Sequence, residues 1–149
     1  MRHFEWRDDL NTGISVIDHQ HQKIVRYINT LIDSQHNEKI VFAVIEELTE
    51  YTVSHFAYEE ALMEQANYPF LAPHKKVHDL FISRVNQYVE RFKQGEDVTD
   101  ELIVMLKRWL VSHIQNEDAD YVESVQAVQE KMHYSVKQSM MSKLWHKLF

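Results

Sequence analysis

HFAYEEALMEQANYPFLAPHKKVH, residues 55–78, carries a His–Glu pair and a His–His pair, each at a spacing of four, on either side of two prolines. Four residues is just over one helical turn, so His55 and Glu59 share a face, as do His74 and His78. Pro69 and Pro73 interrupt the pattern, because proline cannot continue a helix in its interior. The stretch therefore reads as two helices that each aim donor atoms from an apolar stripe. A lone histidine on such a stripe is usually a satisfied core residue. Two pairs, one with a carboxylate, are expensive to bury unless a cation compensates them.

The helical period continues on both sides. A helix from about Ile40 to Gln65 has the stripe Ile45, Leu48, Thr52, His55, Glu59 and Leu62, extended by Met63 or Ala66. The next, with Pro73 in its opening turn, has His74, His78, Phe81, Val85, Tyr88 and Phe92, and Gly95 is a fitting stop. Upstream, Ile17, His21, Ile24, Ile28, Leu31 and Ile32 form one face, with Asp18 as the expected N-cap. Downstream of cap residues in Asp97 to Asp100, Leu102, Leu106, Trp109, Leu110, His113 and Ile114 form another. Residues 1–17 read as an irregular arm pinned by Phe4, Trp6, Ile14 and Ile17. The expected fold is all-α, an antiparallel up-and-down four-helix bundle with an N-terminal arm and a C-terminal helical extension. The expected division is a bundle at 1–130 and an extension at 131–149.

Composition narrows the chemistry. The chain has 149 residues, two glycines, two prolines and no cysteine. Few turns and no alternating short apolar runs argue against sheets. The missing cysteines exclude disulfides, iron–sulfur clusters and thiolate zinc sites. A net charge of −7 argues against general nucleic-acid binding. With neither a signal-like N-terminus nor a membrane span, a cytoplasmic location is the default expectation.

Seven residues are candidate metal ligands: His21, His55, Glu59, His74, His78, His113 and Asp118. His19 lies about 200° around the helix from His21 and faces away, and His3, His36, His133 and His146 read as surface or satisfied residues. Asp118 is awkward, because five residues rotate about 140° from His113 on an ideal helix. Glu117, at four, is the competitor that spacing favours, unless the helix widens near Asn116. Seven ligands exceed what one ordinary ion takes, so a two-metal centre is expected. Imidazole suits iron, copper, nickel and zinc, and bridging carboxylates suit paired first-row ions. Carboxylate-rich di-iron bundles use four Glu and two His with Glu-x-x-His motifs. Five histidines and two acids reverse that ratio and fit reversible redox better than high-valent oxidation.

The ordered set of stretches Phe4-Glu5-Trp6 with Gly13, IDHQH at 17–21 with Asn29, HFAYEEALM at 55–63, Tyr68-Pro69, HKKVHDLF at 74–81 and WLVSHIQNEDADY at 109–121 resembles the hemerythrins, specifically the single-domain bacterial ones. The match covers roughly residues 4–125. The resemblance implies two iron ions with an oxo or hydroxo bridge and reversible dioxygen binding, for storage, delivery or sensing, by a protein that is not an enzyme. It implies that Asp118 rather than Glu117 bridges with Glu59. His74, His78 and His113 would hold one iron, and His21 and His55 the other, with one position left open. Ile24, Phe56, Trp109, Leu110 and Ile114 would wall the O2 pocket, with Asn116 a polar departure that would admit water if it faces inward. The alternatives are a di-iron oxidase, a nitric-oxide or peroxide scavenging enzyme, or an O2-responsive interaction module.

Residues 131–149, KMHYSVKQSMMSKLWHKLF, hold four lysines and no acid. Met140, Met141, Leu144, Trp145, Leu148 and Phe149 make an apolar face. An unbroken helix from the fourth stripe to Phe149 would span roughly 75 Å, so it must bend, fold back or project. One expectation is a helix packed on the bundle or a dimer partner. The other is a basic amphipathic helix, with residues 134–149 meeting a membrane or protein partner.

Overall fold

A computed structural model describes residues 1–35 and 37–148 of the chain. His36 and Phe149, both assigned from sequence above, lie outside the described residues. All regular structure among those residues is helical: α1 (Ser15–Asp33), α2 (Glu38–Gln65), α3 (Leu71–Lys93), α4 (Thr99–Ser112) and α5 (Ala119–Leu148), with a short 3-10 turn at Asp8–Leu10. A π-helical turn, His113–Asp118, joins α4 to α5, and the residues at both joints keep right-handed helical dihedrals. α4, the π turn and α5 thus make one rod. That rod with α1, α2 and α3 is the expected four-helix bundle.

Helix ends are set by local chemistry. α2 and α3 both close with a left-handed residue just past the cap, Asn67 (φ 53°) and Gly95 (φ 92°). Tyr68 N–H then donates to Met63 C=O, and Glu96 N–H to Arg91 C=O, so otherwise orphaned carbonyls are satisfied. The Asn37 side chain caps α2 by accepting from Ile40 N–H. Asp18 differs from expectation, since α1 begins earlier, at Ser15. From the first turn its carboxylate instead accepts from Thr12 N–H, Thr12 Oγ1–H and Gly13 N–H. It ties the arm down rather than capping the helix. Asn29 clamps the same arm further up, accepting from Phe4 N–H at 2.7 Å and donating to Phe4 C=O at 3.0 Å.

The stripes read from sequence are the buried faces. Ile24, Ile28, Leu31, Ile45, Leu48, Phe56, Phe81, Val85, Leu102, Leu106, Leu110 and Ile114 belong to one apolar cluster. A smaller cluster of Ile14, Ile17, Met63, Tyr121 and Val125 closes the end near the arm. Among the residues whose burial is described, Val125 is the last buried one of the rod. Every residue from Lys131 to Lys147 is exposed, so the extension projects and does not fold back on the bundle. No helix among the described residues is long and apolar enough to cross a membrane.

Candidate metal centre

Each element of the bundle sends at least one polar donor inward in place of an apolar stripe residue. α1 supplies His21, α2 His55 and Glu59, α3 His74 and His78, and the π turn His113 and Asp118; all seven are buried. Their donor atoms fall into two groups, within each of which all lie within 4.8 Å of one another. One holds Glu59, His74, His78, His113 and Asp118, and the other holds His21, His55 and Glu59. The two carboxylates span the groups. Asp118 Oδ1 lies 2.9 Å from His113 Nε2 and 3.4 Å from His74 Nε2, while its Oδ2 lies 3.1 Å from His21 Nε2. Glu59 Oε1 is 2.5 Å from His55 Nε2, and 3.8 and 3.9 Å from the Nε2 atoms of His113 and His78.

The π turn sets where the two acids lie. On a helix of uniform pitch Asp118 points away from His113, but an i→i+5 turn widens the helix there and carries Asp118 to the inner face. Asp118 is fully buried. Glu117 sits behind His113 instead, with Oε2 3.8 Å from the ring's Nδ1.

These buried groups are left wanting a cation. His21 Nε2, His55 Nε2, His74 Nε2, Glu59 Oε1 and both Asp118 carboxylate oxygens are buried without a hydrogen-bond partner. Each such group costs about 1–3 kcal/mol to leave unsatisfied. Five imidazoles and two carboxylates facing one point fit first-row transition ions. The electrostatics agree. Burial opposes ionisation of Asp118, yet His113, His21 and His74 hold its carboxyl well below the usual range. Burial and Asp118 push Glu59 up, but His55 and His113 outweigh them and hold it below its ordinary value. Desolvation pushes His78 down to about 3. Burial also opposes the charged form of His113, but Asp118 and then Glu59 overcome it and push the ring up to about 10.

Aromatic rings fix the imidazoles. Phe56 stacks on His78 at 3.8 Å with 6° between planes, and Trp109 stacks on His113 at 4.5 Å and 13°. Of the expected pocket residues, Ile24, Phe56, Leu110 and Ile114 are buried and Trp109 is partly buried. Asn116 is not among them. It is exposed and donates its amide to Ser112 Oγ at 3.2 Å, because the widened turn places it on the outer side of the rod.

Two residues were not singled out from sequence. Tyr121 is fully buried and its hydroxyl donates to Glu59 Oε2 at 2.7 Å. Burial, followed by the charges of Glu59 and Asp118, raises its phenol and keeps it a donor. Its position three after Asp118, on the same helical face, was a usable signal. Gln20 on α1 lies with Oε1 2.6 Å from His55 Nδ1. Nothing in the spacing of α1 shows that contact, since it depends on how α2 packs alongside.

Comparison with known proteins supplies the rest. The model of the hemerythrin HHE cation-binding domain matches residues 12–125, ending where burial of the rod ends. A bacteriohemerythrin of Pseudomonas paraeruginosa is 57% identical over 127 residues, covering 84% of this chain and 83% of that protein. One of Stenotrophomonas maltophilia is 52% identical over 82% of this chain and 81% of its own length. A crystal structure of wild-type hemerythrin superposes with a TM-score of 0.77 at 27% identity, covering 82% of this chain and 97% of the other. Fold, donor set and sequence agree, and the chain belongs to the hemerythrin family.

Proposed function

We propose that this chain is a reversible dioxygen carrier in which His74, His78 and His113 would hold one iron, His21 and His55 would hold the other, and Glu59 and Asp118 would serve both. Hemerythrins bind dioxygen at a di-iron centre, and the donor cluster here has the composition for one. The observation that carries the assignment is the inequality of the two donor groups, three histidines against two, with both carboxylates reaching across. When bound, the iron pair supplies two exchangeable electrons and, on its two-histidine side, room for a small ligand.

The chain's own residues do the remaining work. Tyr121 holds one oxygen of Glu59 and leaves the other free to face the histidines. Phe56 and Trp109 hold the His78 and His113 rings in plane. Ile24, Leu110 and Ile114 add buried apolar surface that excludes water and protons, which favours return of intact dioxygen over its reduction. The test is to load the chain with ferrous iron and cycle it between air and argon. A carrier colours and bleaches over repeated cycles. Stoichiometric consumption of a reductant without bleaching would make it an oxidase.

We further propose a division near residue 130, with the exposed helix beyond it docking on an anionic lipid surface. Residues 131–147 carry Lys131, Lys137, Lys143 and Lys147 and none of the chain's 23 acidic residues, while Met140, Met141 and Leu144 stay exposed. The acidic bundle repels an anionic surface. At 1.5 Å per residue the projecting helix carries Lys137, Lys143 and Lys147 beyond residue 130 by more than the ~8 Å over which charge is screened, where apolar and cationic groups act together. The full chain should sediment with phosphatidylserine vesicles, and Lys137→Glu with Lys143→Glu should abolish this. Sedimentation of the double variant equal to wild type would remove the proposal.

A further inference from the structure

The side of each imidazole that faces away from the donor cluster is not uniform around the site. Behind His78, Glu60 Oε2 lies 3.7 Å from Nδ1, and behind His113, Glu117 Oε2 lies 3.8 Å from Nδ1. Both Nδ1 atoms and the Glu117 oxygen are buried without a hydrogen-bond partner. Behind His55 stands a neutral group, with Gln20 Oε1 2.6 Å from Nδ1. The three-histidine group is therefore backed by two carboxylates, and the two-histidine group by an amide carbonyl.

An imidazole that gives its Nε2 lone pair to a metal carries its proton on Nδ1, and the acceptor of that proton sets how strongly the ring donates. At 3.7 and 3.8 Å the two carboxylates lie beyond hydrogen-bond reach of Nδ1, so they act through their negative charge, which favours the higher oxidation state of a metal on the far side of the ring. An amide carbonyl fixes tautomer and orientation but adds no charge. We infer that Glu60, Glu117 and Gln20 are positioning residues that make the two irons electronically unequal. The two acids favour the ferric state at the three-histidine iron, and Gln20 keeps the two-histidine iron the more readily reduced. This rests on the ligand assignment proposed above.

The placement of these three residues follows from the fold. Glu60 is the neighbour of Glu59 on α2, so one acid faces the donors while the next reaches around to the back of His78. Glu117 and Asp118 divide the same roles at His113, one behind the ring and one before it, because the π turn separates them.

The experiment is a potentiometric titration of the iron-loaded full chain, with iron content measured on the same samples. Glu117→Gln and Glu60→Gln should each shift the ferric-over-ferrous preference about tenfold toward ferrous, raising the potential of one one-electron step by about 59 mV. Gln20→Glu should shift the other step by a similar factor in the opposite direction. All three substitutions are isosteric, and opposite signs are not expected of a merely structural role. Potentials equal to wild type in variants that hold two irons overturn the inference. A separate variant, His78→Ala, checks the ligand assignment: two tightly held irons in that chain would overturn the assignment itself.

Discussion

The rod that begins at Thr99 behaves as two different objects along its length. From Leu102 to Val125 it buries Leu102, Leu106, Leu110, His113, Ile114, Asp118, Tyr121 and Val125, while from Lys131 to Lys147 it buries nothing. Both stretches are helical, the first with three leucines and the second with three methionines and four lysines, all good helix formers. Propensity therefore does not distinguish them. What distinguishes them is whether three neighbouring helices complete the surface, and only the first stretch has those neighbours.

Metal removal should separate the two stretches most strongly. With iron at about a thousand times its dissociation constant, binding adds about 4 kcal/mol to stability, so chelation should lower Tm by about 10 °C for a chain of this size. Amide hydrogen exchange should then rise across residues 99–125 and stay unchanged at 131–147. An unchanged Tm would mean the seven inward donors are satisfied without a cation. Next in size is a matched pair of leucines. Leu106→Ala, at a fully packed position, should cost about 3 kcal/mol, seen as a shift in denaturant midpoint. Leu144→Ala, on the exposed stretch, should stay within about 0.5 kcal/mol. Equal losses at the two sites would break the comparison.

Tyr121→Phe comes third. It removes the hydroxyl that donates to Glu59, and a bond to a charged acceptor is worth about 1.5–3 kcal/mol. A lower denaturant midpoint with no change in helix content by circular dichroism is the expected result. The smallest effect should come from ending the chain after Glu130, with stability of the bundle within about 0.5 kcal/mol of the full chain and its iron content unaltered. A large loss would mean that the extension has a structural partner in solution.

Most of the bundle was legible because it rests on one period. His21, His55, His74 and His78 could be placed from spacing, since α1, α2 and α3 are regular and their polar donors fall on apolar stripes. The same rule failed at Asp118 and favoured Glu117, because it assumes a constant pitch and the rod changes pitch there. Asn116 was misjudged for the same reason, its outward direction being set by the widened turn. Asp18 was read as a cap because it precedes the stripe, whereas α1 starts before it and the carboxylate turns back to Thr12 and Gly13. Gln20 is not legible because its partner lies on another helix and sequence spacing describes one helix at a time, whereas Tyr121, three after Asp118, shares that residue's face and could be found from spacing.

The π turn has a further consequence for how such a site can change. A widened turn of this kind equals a regular helix with one residue inserted, so it can be gained or lost in a single step without altering the helices on either side. Here that extra residue gives His113 two consecutive acids on opposite sides of its ring, one for each nitrogen. Shortening the stretch by one residue would leave room for only one of them. The ring could then keep its inner carboxylate or its outer one, but not both.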